Sequence, residues 1–298
     1  MANFKEQDIV EGCIEKLSEN FGTDFKLLSY KSVSGGCINH TLKISTSAGD
    51  FFLKWNDSGP EDLFMREAEG LNEMRLAESS EIIIPKVIWN KSSDVQPGLL
   101  LLEYLQAPGS VKGFDERLGR GLARLHRKTA TQFGFHHSNY CGTTLQENKW
   151  NSNWPVFFAN QRIWSLVQKI KPVRGLPSDE MKIYEKLVAR IPDLLVHPTI
   201  PSLIHGDLWS GNYMHSANGP ALIDPACYYA DREMELGMML LFGGFNSTVW
   251  NAYLNEFPLP PEWKERVRLY QLYHVLNHFL LFGGSYGREA LLIAKEYI

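Results

Sequence analysis

The sequence predicts an α+β chain in two lobes. The first, over residues 1–105, is a small antiparallel-sheet lobe, and the second, over 106–298, is larger and mainly helical. Up to about residue 105 the apolar residues come in short, period-two runs bounded by turn residues, the signature of strands. Beyond it they recur at three and four, the spacing of amphipathic helices. Size and composition agree: 298 residues, 44% hydrophobic and 21% charged, can bury a sizeable core and do not describe a disordered chain.

In chain order, "MANFKEQDIVEGCIEKLSENF" mixes charges with apolar residues at helical spacing and has no signal-peptide core. "HTLKIS" and "DFFLKWN" are strands joined by "TSAG" as a hairpin. "DLFMREAEGLNEMRLA" has the period of a helix, and "IIIPKVIWN" and "GLLLLEYL" form two further strands around the turn signal "SSDVQPG". Pro108 and Gly109 in "LEYLQAPGS" punctuate the lobe boundary. Five helices follow: "DERLGRGLARLHRK", "WPVFFANQRIWSLVQKI", "SDEMKIYEKLVARI", "EWKERVRLYQLYHVLNHFLLF" and "GREALLIAKEYI". There is no internal repeat. The longest apolar runs, such as "LGMMLLFGGF", are about half the ~20 residues a bilayer span requires, so no membrane partner is expected. A net charge of -4 with no block of five like charges argues against nucleic acid. Cys13, Cys37, Cys141 and Cys227 are scattered, without a C-x-x-C pair; this fits a reducing cytoplasm with neither disulfide framework nor zinc site.

Four features carry chemistry. "VSGGCIN" (33–39) places Gly35 and Gly36 before the hairpin, where backbone amides could meet phosphate oxygens, although paired glycines are more often simple turns. Lys54 lies within the apolar strand "FFLKW", on the face of Phe52 and opposite Leu53 and Trp55. Many strand lysines only snorkel at an edge. Glu67 projects from the same helix face as Leu63, Leu71 and Met74, whereas Glu69 points nearly the opposite way. An acid on an apolar stripe needs a cation, and Lys54 is the obvious one.

The fourth feature is "LIHGDLWSGN" (203–212), in which Asp207 and Asn212 stand five apart, followed twelve residues later by Asp224 in "PALIDPACYY". An apolar strand, H-G-D, four residues, N, then a second apolar strand and D is the layout of a kinase catalytic loop plus metal loop, which makes the predicted fold protein-kinase-like. Asp207 would accept the proton of an attacking hydroxyl. Asn212 and Asp224 would hold Mg2+ against the nucleotide phosphates with the hard oxygen donors that ion takes. His205 is expected to be structural, hydrogen-bonded to backbone beneath the metal loop.

With Trp209 after Asp-Leu, "HGDLWSGN" resembles the fructosamine (ketosamine) kinases, relatives of the aminoglycoside and choline phosphotransferases. "SGGCIN", "CGTTLQENKWNSNWPVFFANQRI" (141–163), "DPACYYADREMELGM" (224–238) and "FGGSYGREAL" extend the resemblance along nearly the whole chain. One departure is Ser34, where many members carry a further glycine; Asp-Pro-Ala in place of Asp-Phe-Gly is usual among these small-molecule kinases, so a phenylalanine switch is not expected.

The resemblance implies phosphoryl transfer from ATP to the 3-hydroxyl of a ketosamine or other glycated amine, whose unstable product sheds the sugar. It also implies that Gly35, Gly36 and Cys37 cover the phosphates, that Lys54 contacts them, that Glu67 orients Lys54, and that backbone of Glu103, Tyr104 and Leu105 meets adenine. Trp209 is expected to form an apolar platform for the sugar. Trp150, Trp154, Phe157, Phe158 and Arg162 recur at helical spacing, either as buried aromatics or as a substrate wall. Asp231, Arg232 and Glu233 are expected to brace the metal loop, Asp231 by anchoring the catalytic-loop backbone. Cys37 is either a small turn residue or a thiolate poised for oxidation. The residues alone leave open a kinase of another small alcohol, a silent nucleotide-binding module, the sugar preferred and the oligomeric state.

Overall fold

The computed structural model describes residues 6–33, 39–77, 79–92, 98–107 and 112–298. The N-terminal region holds α1 (Glu6–Phe21), β1 (Leu27–Ser32), β2 (His40–Thr46), β3 (Gly49–Asn56), α2 (Leu63–Arg75), β4 (Val87–Lys91) and β5 (Gly98–Glu103). Its five strands form one antiparallel sheet, in the order β1-β2-β3-β5-β4. The expected hairpin is β2–β3, closed by the Thr46–Gly49 pair, with Gly49 at φ 133°. Strand alternation divides the side chains between the two faces. Leu42, Ile44, Leu53, Trp55, Leu99 and Leu101 pack under α1 against Val10, Cys13 and Leu17. Leu100 and Leu102 face the other way, into the cluster that holds Phe64, Ala68, Leu71 and Met74 of α2. Lys54 pairs with Leu100 across β3 and β5, so its side chain enters this second layer.

Only half of "IIIPKVIWN" becomes a strand. Ile82 and Ile84 are core residues, Pro85 interrupts, and β4 starts at Val87. Ile83 instead ties the two regions together, donating to Pro220 O at 2.8 Å and accepting from Leu222 N at 2.9 Å. Pro108 and Gly109, the expected punctuation, lie outside the described residues.

The second region contains α3 (Phe114–His126), β6 (Asn139–Cys141), β7 (Thr144–Gln146) and α4 (Trp154–Phe157). A π-helical turn (Phe158–Trp164) carries α4 into α5 (Ser165–Arg174), followed by α6 (Ser178–Leu194). Four short strands come next, β8 (Ser202–Ile204), β9 (Tyr213–Ser216), β10 (Gly219–Leu222) and β11 (Tyr228–Ala230). The chain closes on α7 (Glu233–Phe242), α8 (Ser247–Glu256), α9 (Trp263–Phe282) and α10 (Ser285–Glu296). β6 pairs with β7, β8 with β11, and β9 with β10, all antiparallel. The five expected helices are present. α7 and α8, which the sequence did not announce, have nearly all-apolar or weakly patterned stretches in place of a clean stripe. Among the described residues no helix is long and apolar enough to cross a membrane.

The aromatic run before residue 164 departs from expectation. Asn153 caps α4 by accepting from Val156 N at 3.0 Å, and Pro155 follows, so the helix starts after Trp150. Trp150 lies outside it, packed against Tyr229 with ring centres 6.1 Å apart. Trp154, Phe157, Phe158 and Arg162 are fully buried and form core, not a substrate wall. The Arg162 guanidinium donates to Glu147 O and Asn148 Oδ1, both at 2.6 Å, and lies 3.9 Å from the ring centre of Tyr228. Hydrogen bonds and ring faces thus replace its lost water.

Candidate active site

β8 delivers the chain into the tight turn His205-Gly206-Asp207. Gly206 has φ +85°, and a Cβ there would come within 2.2 Å of Ala226 O. Only glycine permits β8 and β11 to close at this point. Gly206→Ala should therefore cost about 2 kcal/mol or more of stability, read as a lowered thermal midpoint.

The turn is pinned from three sides. His205 Nε2 lies 2.8 Å from Ile223 O, which can only accept, so Nε2 carries the proton and Nδ1 accepts from Asp207 N at 3.3 Å. Burial lowers the pKa of this imidazole and keeps it neutral. His205 therefore has the backbone-bracing place expected of it. Ala226 N donates to His205 O at 2.9 Å. From below, the Glu235 carboxylate accepts from both His205 N and Gly206 N.

That last contact corrects the sequence reading. Asp231 does not touch the catalytic-loop backbone; it accepts from Tyr270 OH at 2.6 Å and lies 2.7 Å from His197 Nε2. Glu233 pairs with Arg266, and Arg232 donates to Tyr253 OH and Phe257 O, so this trio braces helices and not the metal loop. Glu235 was the missed anchor. Its signal was present as a carboxylate in the apolar run "MELGMMLLF", and in the fold Glu233 to Met239 are all buried, so a charge there requires a partner.

Beyond the turn, Asn212 Nδ2 donates to Asp207 O at 2.7 Å and to Asp207 Oδ2 at 3.3 Å. The five-residue interval is thus a loop that folds back on its own start. Trp209 reaches over this loop and is 39% exposed. A Cβ on Gly211 would meet its ring at 2.3 Å, so Gly211 is the space in which the indole lies.

Asp224 follows β10 in the left-handed region at φ 57°, the only non-glycine there among the described residues. Its Oδ1 sits 2.9 Å from Lys54 Nζ, which also donates to Glu67 Oε1 and Oε2 at 2.8 and 3.0 Å. The acid-on-a-stripe argument thus finds its cation 13 residues away, across the sheet–helix layer. Burial pulls the Lys54 ammonium down, but Asp224 and Glu67 outweigh it and hold the pKa above the ordinary lysine value. Withdrawal from water, then the nearby Glu235 and Asp224 charges, push the Asp207 carboxyl up to about 8. Such a carboxylate is a better proton acceptor than an exposed aspartate.

Lys54, Glu67, Asp207, Trp209, Asn212 and Asp224 all line one cavity of about 370 Å³. Gly35, Gly36 and Cys37 lie outside the described residues. Glu103, Tyr104 and Leu105 are not among the residues lining this cavity. Glu103 Oε1 accepts from Lys86 N at 2.8 Å, and Tyr104 N is given to Asp50 O.

The fructosamine kinase family profile matches residues 9–298. The chain belongs to the fructosamine kinase family. A Vibrio cholerae protein named "probable ketoamine kinase" is 38% identical over 292 residues, covering 96% of this chain and 98% of that one. The chloroplastic protein-ribulosamine 3-kinase of Arabidopsis thaliana is 38% identical over 276 residues, covering 90% and 82%. A solved structure from Haemophilus somnus, assigned as a fructosamine-3-kinase, superposes with TM-score 0.84 at 26% identity over 96% of both chains. An aminoglycoside phosphotransferase, at TM-score 0.62 and 14% identity, shares the fold alone. As a fructosamine kinase family member the chain is an ATP-dependent phosphotransferase with a bilobal, protein-kinase-like fold.

Proposed function

We propose that this enzyme moves the γ-phosphoryl group of ATP to the 3-hydroxyl of a ketosamine, with residues 1–105 as the nucleotide-covering lobe and 106–298 as the lobe carrying base, metal ligands and acceptor site. The observation that carries the reading is the convergence of Asp207, Asn212, Asp224 and Lys54 on one cavity. The relatives' names, ketoamine kinase and protein-ribulosamine 3-kinase, supply the acceptor class.

In this reading Asp207 orients the acceptor hydroxyl and takes its proton as the phosphoryl group arrives. Lys54, held by Glu67, meets the nucleotide phosphates; its contact with Asp224 gives way to them. The donor set fits Mg2+: a carboxylate at Asp224, and at Asn212 the amide oxygen that remains once Nδ2 is engaged on Asp207. That ion, when bound, neutralises charge on the transferring phosphoryl group. Glu103, Tyr104 and Leu105 are assigned to adenine through backbone, and with Tyr104 N already engaged, Leu105 N is the donor left to serve. We place the reaction in the cytoplasm, consistent with Cys13, Cys141 and Cys227 being buried and unpaired.

ATP consumption across synthetic fructosamines, ribulosamines and erythrulosamines, with mass spectrometry locating the new phosphate on the 3-oxygen, tests this assignment. Turnover of aminoglycosides or choline-like alcohols and of no ketosamine would overturn it. Trp209→Ala should raise KM for the ketosamine by about tenfold, the loss expected when a sugar gives up one aromatic face, with KM for ATP unchanged.

A further inference from the structure

We propose that Cys141, Asp207 and His274 form a binding site for a soft divalent cation, zinc in the first place, distinct from the magnesium ligands. The Cys141 thiol at the end of β6, the Asp207 carboxylate and a ring nitrogen of His274 on α9 all lie within 4.8 Å of one another. A tetrahedral zinc ion, with bonds of about 2.0–2.3 Å, spaces its ligand atoms about 3.3–3.7 Å apart, so closing the set takes a contraction of at most about 1.5 Å. Thiolate, imidazole and carboxylate are ligands zinc takes in catalytic sites, and thiolate is one that magnesium shuns.

His274 is buried, and its Nδ1 has no hydrogen-bond partner. Burial first, then His278 and Arg162, bring the pKa of this imidazole down to about 3, so it stays in the neutral, ligating form. Arg162, the nearby cation, is engaged on Glu147 O and Asn148 Oδ1. The cavity that the acceptor would enter gives access, because Cys141 and Asp207 both line it. Binding converts Cys141 S–H to a zinc thiolate and Asp207, whose carboxyl is held high, to a zinc carboxylate, and the thiol proton and any carboxyl proton pass to buffer.

The inhibitory consequence rests on Asp207 being the base, since zinc would occupy the carboxylate that accepts the hydroxyl proton. The site itself is tested without turnover, by adding Co2+ to nucleotide-free enzyme. A tetrahedral visible spectrum with a thiolate-to-cobalt charge-transfer band is expected, absent in Cys141→Ser, weakened in His274→Gln and displaced by Zn2+. A wild-type spectrum without that band overturns the proposal, as does one retained in both variants.

In kinase assays at saturating Mg-ATP, zinc should inhibit wild type, and Cys141→Ser and His274→Gln should each raise the inhibition constant at least tenfold, each inhibition being measured against that protein's own zinc-free rate. Inhibition relieved by added magnesium and equal in all three proteins would put zinc on Asn212 and Asp224 and overturn the assignment. A Cys141-dependent band with no inhibition would take Asp207 out of the ligand set and overturn the three-residue site, while Asp207→Asn separately tests its role as the base.

Discussion

Asp207→Asn lowers turnover by about 100- to 10,000-fold and leaves ATP affinity within a few-fold of wild type. The range is what a positioned general base contributes. An amide oxygen still accepts a hydrogen bond from the acceptor hydroxyl but cannot keep its proton, so the chemical step loses its proton sink while the phosphate contacts of Lys54 persist. The fold is not at risk. The wild-type carboxylate is disfavoured by its withdrawal from water and by the Glu235 and Asp224 charges, so neutralising it does not lower the thermal midpoint. Steady-state kinetics with a ketosamine, nucleotide binding and a melting curve on one preparation check all three parts. A variant keeping a tenth of wild-type turnover would remove Asp207 from the role of base.

Glu235→Ala should lose stability and rate together. The carboxylate is nearly fully buried and satisfies the two amides that precede Asp207. Each buried N–H left unpaired costs about 1–3 kcal/mol, so the fold loses about 2–6 kcal/mol. The turn then drifts, and a displacement of about 1 Å at a catalytic group costs on the order of 100-fold in rate. Glu235 touches no substrate; it is a positioning residue. Glu235→Gln keeps one acceptor oxygen but turns an N–H2 toward the second amide, and should fall between alanine and wild type in both melting temperature and kcat, with KM for ATP little changed. Loss of stability with kcat intact would make the carboxylate a purely structural prop.

Legibility in the sequence tracked how local the physics is. Lys54 and Glu67 could be paired beforehand because strand and helix periods fix which face a residue takes, and because a charge on an apolar face must meet its opposite, whereas Asp207 and Asn212 were grouped by the layout of a kinase catalytic loop. The aromatic run misled at Trp150, since the cap at Asn153 and the proline after it, not the spacing of rings, decide where the helix begins. Asp231 and Glu235 share one short segment at nearly equal distance from the catalytic loop in sequence. Which of them reaches the loop depends on how α7 lies under β8, and no period in the chain reports that.

By itself the sequence determined the α+β layout, the order of elements from the β2–β3 hairpin through α2 to β5 and the chemical kinds of the groups at the centre, because each follows from contacts spanning a few residues or from an obligatory partner. Tertiary structure alone decided which acid holds the catalytic turn and that Trp154, Phe157, Phe158 and Arg162 are core. It alone brought Cys141 and His274 beside Asp207. Those outcomes depend on the packing of elements far apart in the chain, where a shift of a few ångströms exchanges one partner for another.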